Sequence, residues 1–217
     1  MDFTAARRNM ISGQLRANKV GDARLIDAIA RTPREVFLPR QLRGLAYLDQ
    51  DVDLGGGRFL IQPLGLALLA QAAMIRADDV VLIIGDVTGW AAAVLSRLAS
   101  TVVSVENDSE IISRAGAALG EMAVDNVALV TGELAAGYPT QAPYDVIVFA
   151  GAVAEIPPAV AAQLGEGGRL VAVVRAEGGA GKGTKMVRAG ESLGRQIVFD
   201  AGIGWLPGLA PHESFAL

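Results

Sequence analysis

The fold is decided by residues 80–106, which read VVLIIGDVTGWAAAVLSRLASTVVSVE. The stretch opens on a continuous apolar run over Val80–Ile84, which is typical of a strand buried on both faces. After a turn that contains two glycines, apolar residues recur at helical spacing over residues 91–98. The β-branched residues of 101–105 then predict a second strand, which ends at Glu106. This order of elements predicts the nucleotide-binding half of a doubly wound α/β fold.

The turn and the acidic residue point to a ligand. Gly85 and Gly89 allow a close approach to the backbone, and the following helix offers free N–H groups at its start. Glu106 lies 21 residues after Gly85, where an acid commonly accepts hydrogen bonds from ribose hydroxyls. Val87 breaks the dinucleotide pattern G-x-G-x-x-G. On this stretch alone, a strand-to-helix turn without a ligand is therefore the alternative.

Composition narrows the class of protein. The 217 residues predict a single domain, and an apolar fraction of 52% is enough for a sizeable core. The chain has no cysteine and one histidine, His212, which argues against thiolate or histidine metal sites and against Cys or His catalysis. We therefore expect no metal, and we assign no chemistry to His212.

Charge and hydropathy exclude two classes of partner. The net charge of −4 argues against a general nucleic-acid binder, although residues 1–43 hold nine basic and four acidic residues. We interpret that basic layer as a solvated helical face rather than as a substrate site. No apolar run is long enough to span a membrane, and no signal peptide is visible. We expect a cytoplasmic protein that does not bind a membrane.

The chain before the central stretch predicts a helical layer and then a loop. Helices are predicted over residues 3–18 and 22–31, the second capped by Asp22. Residues 44–62 are expected to be irregular. The acids in that segment resemble a calcium loop only superficially, because the required downstream Gly and Glu are missing, so we expect a solvated loop. These acids are Asp49, Asp51 and Asp53.

Downstream, strands alternate with helices as far as residue 174, which predicts a parallel sheet with right-handed crossovers. Residues 184–188 and 196–201 then predict an antiparallel hairpin, an unusual ending for a dehydrogenase. The segment 178–184 reads GGAGKGT and is similar to a phosphate loop. It does not match that pattern, because its residues differ from the required ones and because a strand-like segment follows it instead of a helix. We therefore expect a flexible linker.

Ordered motifs along nearly the whole chain resemble the protein-L-isoaspartate O-methyltransferase family. Each motif is modest alone, but their order and spacing are specific. They are RRNMISGQLRANKVGDARLIDAIARTPREVFLP (7–39), AYLD (46–49), GGRFLIQP (56–63), VLIIGDVTGWAAAVL (81–95), VSVE (103–106), GELAAGYP (132–139), APYDVIV (142–148) and GGRLVAVV (167–174).

The resemblance implies a Rossmann-like S-adenosylmethionine-dependent methyltransferase fold, with a mostly parallel sheet, a C-terminal antiparallel hairpin and an N-terminal helical layer. Within one domain it implies three parts. Residues 1–62 hold the N-terminal helices and an acceptor loop, residues 63–175 the nucleotide-binding core, and residues 176–217 the C-terminal hairpin and tail.

The resemblance also implies an activity, a cofactor and a partner. S-adenosyl-L-methionine would donate a methyl group to the carboxylate of an isoaspartyl residue in a damaged protein, as a step of protein repair. An ionised carboxylate is itself the nucleophile, so alignment of the reacting atoms carries the rate and no general base is needed.

Site residues are carried over by position. In the cofactor site the resemblance places Gly85 and Gly89 near the methionine part, Glu106 at the ribose and Glu133 near the adenine. The acceptor loop, at the catalytic centre, comprises Ile61, Gln62 and Pro63. The cofactor-binding positions are Gly85, Asp86, Val87, Gly89, Glu106, Asn107, Gly132 and Glu133.

Three positions depart from the family pattern. Ile61 stands where the family commonly has Ser, Val87 stands where it has Gly, and Ile83 stands where it has an acid. We expect the branched Val87 to crowd the donor and to exclude glycine-only backbone angles. Asp86 is an additional acid, for which two roles stay open: facing the donor's ammonium group, or capping the helix.

These departures motivate an alternative function. In it, the chain keeps the fold and acts as a binding or regulatory protein without methyl transfer. A nicotinamide dehydrogenase is disfavoured by Val87, by the missing third glycine and by the terminal hairpin.

Overall fold

The computed structural model describes residues 1–211, so His212 lies outside the described residues. The helices are α1 (Phe3–Met10), α2 (Ala23–Arg31), α3 (Pro63–Ala73), α4 (Trp90–Leu95), α5 (Ser109–Glu121) and α6 (Pro158–Ala161). The strands are β1 (Val52–Gly55), β2 (Arg58–Leu60), β3 (Val80–Ile84), β4 (Thr101–Glu106), β5 (Val127–Thr131), β6 (Tyr144–Val153), β7 (Leu164–Val174), β8 (Gly181–Ala189) and β9 (Ser192–Ala201).

Strands β3 to β9 form one sheet in the order β5-β4-β3-β6-β7-β8-β9. The pairs among β3 to β7 are parallel, whereas β8 pairs antiparallel with β7 and with β9. This arrangement confirms the predicted α/β fold with a mostly parallel sheet and a terminal hairpin. No helix within residues 1–211 has the length and apolar character needed to cross a membrane.

The predicted flexible linker is wrong from Gly181 onward. Strand β8 begins there, and Gly181 pairs with Ala201 of β9. Two glycines of this segment lie where a side chain would collide with the neighbouring strand, Gly181 against Ala201 and Gly183 against Phe199. The glycines therefore permit the neighbouring strands to approach closely. The sequence of this segment, which is similar to a phosphate loop, does not indicate that role.

The predicted irregular loop is also partly wrong, because residues 44–62 contain the hairpin of β1 and β2. Val52 pairs with Leu60, and the turn between the strands uses glycines 55–57, all with positive φ. Glycine can adopt this left-handed backbone conformation at three consecutive positions, whereas other residues adopt it only at an energetic cost. The strands are too short to show an alternating pattern in the sequence.

The helical layer at the N-terminus forms as predicted. Asp22 caps α2, since its carboxylate accepts hydrogen bonds from the backbone N–H groups of Arg24 and Leu25. Between α1 and α2 the chain continues through a π-helical turn, Ile11–Leu15, and a short 3₁₀ turn. Its buried residues join one apolar cluster with α3 and α4, so the layer covers those helices.

Two apolar clusters cover the two faces of the sheet. Alternate residues of β3 divide between them: Val81 and Ile83 pack with the helical layer, and Leu82 and Ile84 pack on the side of α6. Strand β3 is therefore buried on both faces, as its apolar sequence predicts.

A buried ion pair ties the amino end of β3 to β7. Arg169, 8% exposed, donates two hydrogen bonds to the carboxylate of Asp79, which is 4% exposed. The Arg169 Nε also donates to the Ala73 carbonyl at 3.1 Å, and Asp79 accepts from the Arg76 N–H at 2.7 Å. The pair therefore joins the end of α3 to two strands, at the sheet edge opposite the carboxyl ends.

We expect Asp79→Asn to lower the free energy of unfolding by about 3 kcal/mol, because it leaves the buried Arg169 guanidinium without a counter-charge. Urea denaturation followed by circular dichroism measures the change. The matched control is Asp27→Asn, which breaks an exposed pair with Arg31 on α2 and is expected to change stability by less than about 0.5 kcal/mol. Equal losses in the two variants would contradict the assignment.

Candidate functional site

The site lies where the strand order reverses. Strand β3 has β4 on one side and β6 on the other, so chain segments leave its carboxyl end in opposite directions and open a crevice. The Gly85 N–H donates to the Val105 carbonyl at 3.1 Å, and the Gly132 N–H donates to the Glu106 carbonyl at 3.0 Å. The sheet therefore brings Gly85, Glu106 and Gly132 together at one edge.

Glu106 ends β4 with its carboxylate buried, at 2% exposure. Its Oε1 accepts hydrogen bonds from the Asn107 N–H and from Arg58 Nη1, both at 2.7 Å. Its Oε2 is buried and has no hydrogen-bond partner among residues 1–211. An unpartnered buried carboxylate oxygen is an acceptor ready for a ligand hydroxyl.

Arg58 is a site residue that the sequence did not reveal. It begins β2 and reaches across to β4, where its Nη1 binds Glu106 and its Nη2 donates to the Asn107 side-chain oxygen at 2.6 Å. The resulting ion pair is largely shielded from solvent, with 16% and 2% of the two side chains exposed. The partners are 48 residues apart, and no local pattern reports such a contact.

Asp86 caps α4 from within the cofactor loop, residues 85–89. Its Oδ2 accepts from the Ala92 N–H at 2.7 Å, and its Oδ1 accepts from the Gly89 N–H at 3.2 Å. Burial raises the pKa of the Asp86 carboxyl, and these backbone hydrogen bonds oppose that rise. Because both carboxylate oxygens are engaged, the geometry favours the capping role over contact with a donor's ammonium group.

Val87 and Gly89 have different backbone conformations within the cofactor loop. Val87 is 8% exposed and is not among the residues with positive φ, so its backbone avoids the glycine-only region. Gly89 has φ of +83°, and a Cβ there would lie 3.3 Å from the Ala115 Cβ. Gly89 therefore lets the loop pack against α5, and the nearest neighbours of such a Cβ belong to that helix.

Leu206 occupies the side of the crevice that faces β6. A Cβ built on Gly85 would lie 2.5 Å from Leu206 Cδ2, and one built on Gly151 would lie 2.7 Å from the same atom. The Leu206 N–H donates to the Ala152 carbonyl at 2.9 Å, which holds the C-terminal segment against β6. No pattern in the sequence indicates that this segment reaches the site.

The three acceptor-loop residues lie beside the crevice in different environments. Ile61 is 2% exposed and belongs to the apolar cluster of the helical layer, whereas Pro63 begins α3. The Gln62 side chain donates to the Gly202 carbonyl at 2.8 Å, and the Gln62 N–H donates to Asp51 Oδ1 at 2.7 Å. The expected solvated loop is therefore wrong for Asp51, whose carboxylate is bound.

A cavity of about 730 Å³ adjoins the cofactor loop. Its volume lies in the range of small-molecule sites. Val87 and Thr88 line it from the loop, Arg58 lines it from β2, and Asp108 and Arg114 line it from the start and first turns of α5. The guanidinium that binds Glu106 thus also borders open space.

The remaining predicted positions lie at the ends of β4 and β5. Asn107 and Glu133 both have exposed side chains, and Glu133 sits in the turn after Gly132. Within the described chain, no group of three or more His, Asp or Glu side chains is placed to hold a metal ion.

Comparison with known proteins agrees with this geometry. A family model described as protein-L-isoaspartate(D-aspartate) O-methyltransferase matches residues 6–193. A protein-L-isoaspartate O-methyltransferase of Methanoculleus marisnigri is 42% identical over 168 residues, covering 77% of this chain and 76% of the relative. A protein-L-isoaspartate O-methyltransferase 1 of Rhodopseudomonas palustris is 36% identical over 186 residues, covering 86% of this chain and 76% of the relative.

Two solved structures share the fold. A protein-L-isoaspartate O-methyltransferase superposes with a TM-score of 0.82 at 27% identity, covering 94% of this chain and 67% of the other. A beta-aspartate methyltransferase from Plasmodium falciparum, in complex with S-adenosyl-L-homocysteine, gives a TM-score of 0.78 at 12% identity, covering 92% and 97%.

The sheet order and the crevice beside Glu106 define a Rossmann-like methyltransferase. Within that class, the match over residues 6–193 and the identities of 36–42% decide the family. The chain belongs to the protein-L-isoaspartate O-methyltransferase family.

The capping role of Asp86 can be tested by Asp86→Ala. We expect a loss of about 2 kcal/mol in the free energy of unfolding, because three buried backbone N–H groups lose their acceptor, with the affinity for S-adenosyl-L-homocysteine changed less than threefold. Denaturation and calorimetry measure the two quantities. Asp22→Ala removes a helix cap far from the loop and serves as control. A tenfold loss of affinity confined to Asp86→Ala would instead assign the carboxylate to the donor.

Proposed function

We propose that this protein transfers a methyl group from S-adenosyl-L-methionine to the carboxylate of isoaspartyl residues in damaged proteins, in protein repair in the cytoplasm. The observation that carries the proposal is the family match over residues 6–193, with relatives of that name at 36–42% identity. The departures at Ile61 and Val87 motivated a binding or regulatory protein instead. The named relatives are enzymes, and none of them favours that alternative.

The residues at the crevice fit a ribose-bearing donor. The unpartnered Oε2 of Glu106 supplies a buried acceptor at the carboxyl end of β4. Asn107 and Gly132 border the same point, and the adjoining cavity provides space beside Val87. We propose that Glu106 holds the ribose hydroxyls and that Asn107, Gly132 and Glu133 lie along the adenosine.

The donor, when bound, supplies a methyl group on a positively charged sulfur. The chain's own residues have a limited chemical task, since an isoaspartyl carboxylate is ionised at neutral pH and needs no base. The chain must orient the acceptor oxygen and keep competing water away. An acceptor loop of Ile61, Gln62 and Pro63, none of which can act as a base, is compatible with this task.

Leu206 and Phe59 supply the apolar wall of the crevice. Leu206 packs on Gly85 and Gly151, and a Cβ on Gly151 would lie 3.0 Å from Phe59 Cζ. An apolar wall beside the reacting atoms lowers the local dielectric and excludes water. We propose that these side chains shield the transferring methyl group while Gln62 and Pro63 face the acceptor peptide.

The function is tested with labelled S-adenosyl-L-methionine and an isoaspartyl peptide, with the aspartyl isomer as the control acceptor. We expect label transfer to the isoaspartyl peptide alone.

Glu106→Gln should weaken the binding of S-adenosyl-L-homocysteine by about 10- to 100-fold, because a charged acceptor of ribose hydroxyls is lost. Calorimetry measures the affinity.

The matched control for that variant is Glu110→Gln, an exposed acid in the first turn of α5. It should leave donor affinity within twofold of the parent protein. If the parent protein fails to bind S-adenosyl-L-homocysteine at millimolar concentration, the proposed function is wrong. Binding without transfer to the isoaspartyl peptide would overturn the acceptor assignment alone.

A further inference from the structure

The carboxylate of Asp51 binds two backbone amides that are distant in the sequence. Its Oδ1 accepts from the Gln62 N–H at 2.7 Å, and its Oδ2 accepts from the Gly204 N–H at 2.7 Å. Asp51 immediately precedes β1, yet its two partners lie in the acceptor loop and in the C-terminal segment, residues 202–209. One side chain thus joins two segments that border the crevice.

The two segments make further contacts at the same point. Gln62 Nε2 donates to the Gly202 carbonyl at 2.8 Å, and the Phe59 ring packs against Gly204. The Gly204 carbonyl in turn accepts from the Ala152 N–H at 2.7 Å, at the carboxyl end of β6. The acceptor loop is therefore connected, through Asp51 and Gly204, to the strand that forms one wall of the crevice.

Arg34 binds the acceptor loop at the residue before Gln62. It is 1% exposed, and its Nη2 donates to the Ile61 carbonyl at 2.5 Å while its guanidinium stacks over Trp90 at 4.3 Å. Trp90 begins α4, directly after the cofactor loop. Ile61 and Gln62 are consecutive, so a buried guanidinium binds the carbonyl of one residue and a carboxylate binds the N–H of the next.

Both oxygens of the Asp51 carboxyl group are engaged in hydrogen bonds although the side chain is largely shielded from solvent, and its pKa lies above the usual value. Burial raises the pKa of the Asp51 carboxyl, while the amides of Gly204 and Gln62 and the charge of Arg34 oppose that rise. A partly desolvated carboxylate is costly unless it is hydrogen-bonded, and here both oxygens are used. Asp53, two residues later, is exposed, and within residues 1–211 it accepts a hydrogen bond only from the nearby Gly55 N–H.

We propose that Asp51 is a positioning residue, whose carboxylate fixes Gln62 relative to the C-terminal segment and thereby sets the affinity for the isoaspartyl acceptor. The inference rests on the proposed function, because it takes Ile61–Pro63 as the acceptor loop. Alignment of acceptor and donor carries the rate of this reaction, and a shift of about 1 Å in a positioning group can lower the rate 100-fold. Because the two hydrogen bonds of Asp51 go to Gln62 and Gly204, and to none of the cofactor-binding positions, we expect its loss to weaken peptide binding more than donor binding.

Asp51→Ala tests the proposal, with Asp53→Ala as the matched control on the same hairpin. We expect Asp51→Ala to raise the KM for an isoaspartyl peptide by about tenfold or more, with the Kd of S-adenosyl-L-homocysteine within twofold of the parent value. Asp53→Ala should leave both quantities unchanged. Asp51→Asn keeps one acceptor oxygen and places an NH₂ group against the other amide, so we expect an intermediate KM.

Hydrogen exchange provides a readout that does not depend on turnover. In Asp51→Ala, the amides of Gln62 and Gly204 should both exchange faster than in the parent protein, and in Asp51→Asn, which keeps one acceptor oxygen, at least one of them should. The Gly55 amide should not change in either variant. The opposite pattern should hold in Asp53→Ala. Thermal melting of both variants checks that the fold is retained, and Asp51→Asn serves where Asp51→Ala does not fold.

The outcomes separate the inference from the proposed function. Equal KM values in Asp51→Ala and the parent protein overturn the inference and leave the proposed function standing. An equal rise in peptide KM and donor Kd also overturns it, because Asp51 would then support the whole site. A parent protein that binds S-adenosyl-L-homocysteine but is inactive on isoaspartyl peptides overturns the acceptor assignment of the proposed function. Unchanged exchange at both Gln62 and Gly204 in Asp51→Asn would show that Asp51 does not hold the two segments together, and would overturn the inference.

Discussion

The reversal of strand order at β3 is the constraint on which the rest of the structure depends. Chain segments diverge from its carboxyl end, and a parallel sheet places the ends of β4, β5 and β6 at the same edge. A buried acid at the end of β4 therefore meets a crevice rather than solvent. Arg58 and the Asn107 amide bind one oxygen of Glu106, and the other oxygen is buried without a partner among the described residues.

Elements with strong local signals were predictable. The apolar run of β3, the β-branched β4 and the Asp22 cap each follow from a few adjacent residues, and the structure has all three. Prediction from local sequence failed where a glycine allows a neighbouring strand to approach closely, as at Gly181. A glycine in the sequence reports freedom of the backbone, but it does not report whether a turn, a ligand or a neighbouring strand uses that freedom.

Only the part of the site that lies on the core sheet was predictable from the sequence. Glu106 and Gly132 come directly at the ends of the strands that carry them, so their meeting at one edge follows from topology. Arg58, Asp51 and Leu206 come from segments outside that core and reach the site through long-range contacts. Asp51 and the Gly204 amide are 153 residues apart, and such a contact leaves no periodicity or spacing to detect.

The segments outside the core sheet also include positions that depart from the family pattern. Ile61 lies in the apolar cluster, so its side chain stabilises the helical layer while its carbonyl is held by Arg34. The loop can thus stay in place through its backbone without a hydroxyl at that position. Under the proposed function the acceptor carboxylate needs orientation and no base, and we propose that backbone groups fixed by Arg34 and Asp51 contribute to it. The φ of Val87 is not positive, so the cofactor loop forms with valine where the family has glycine.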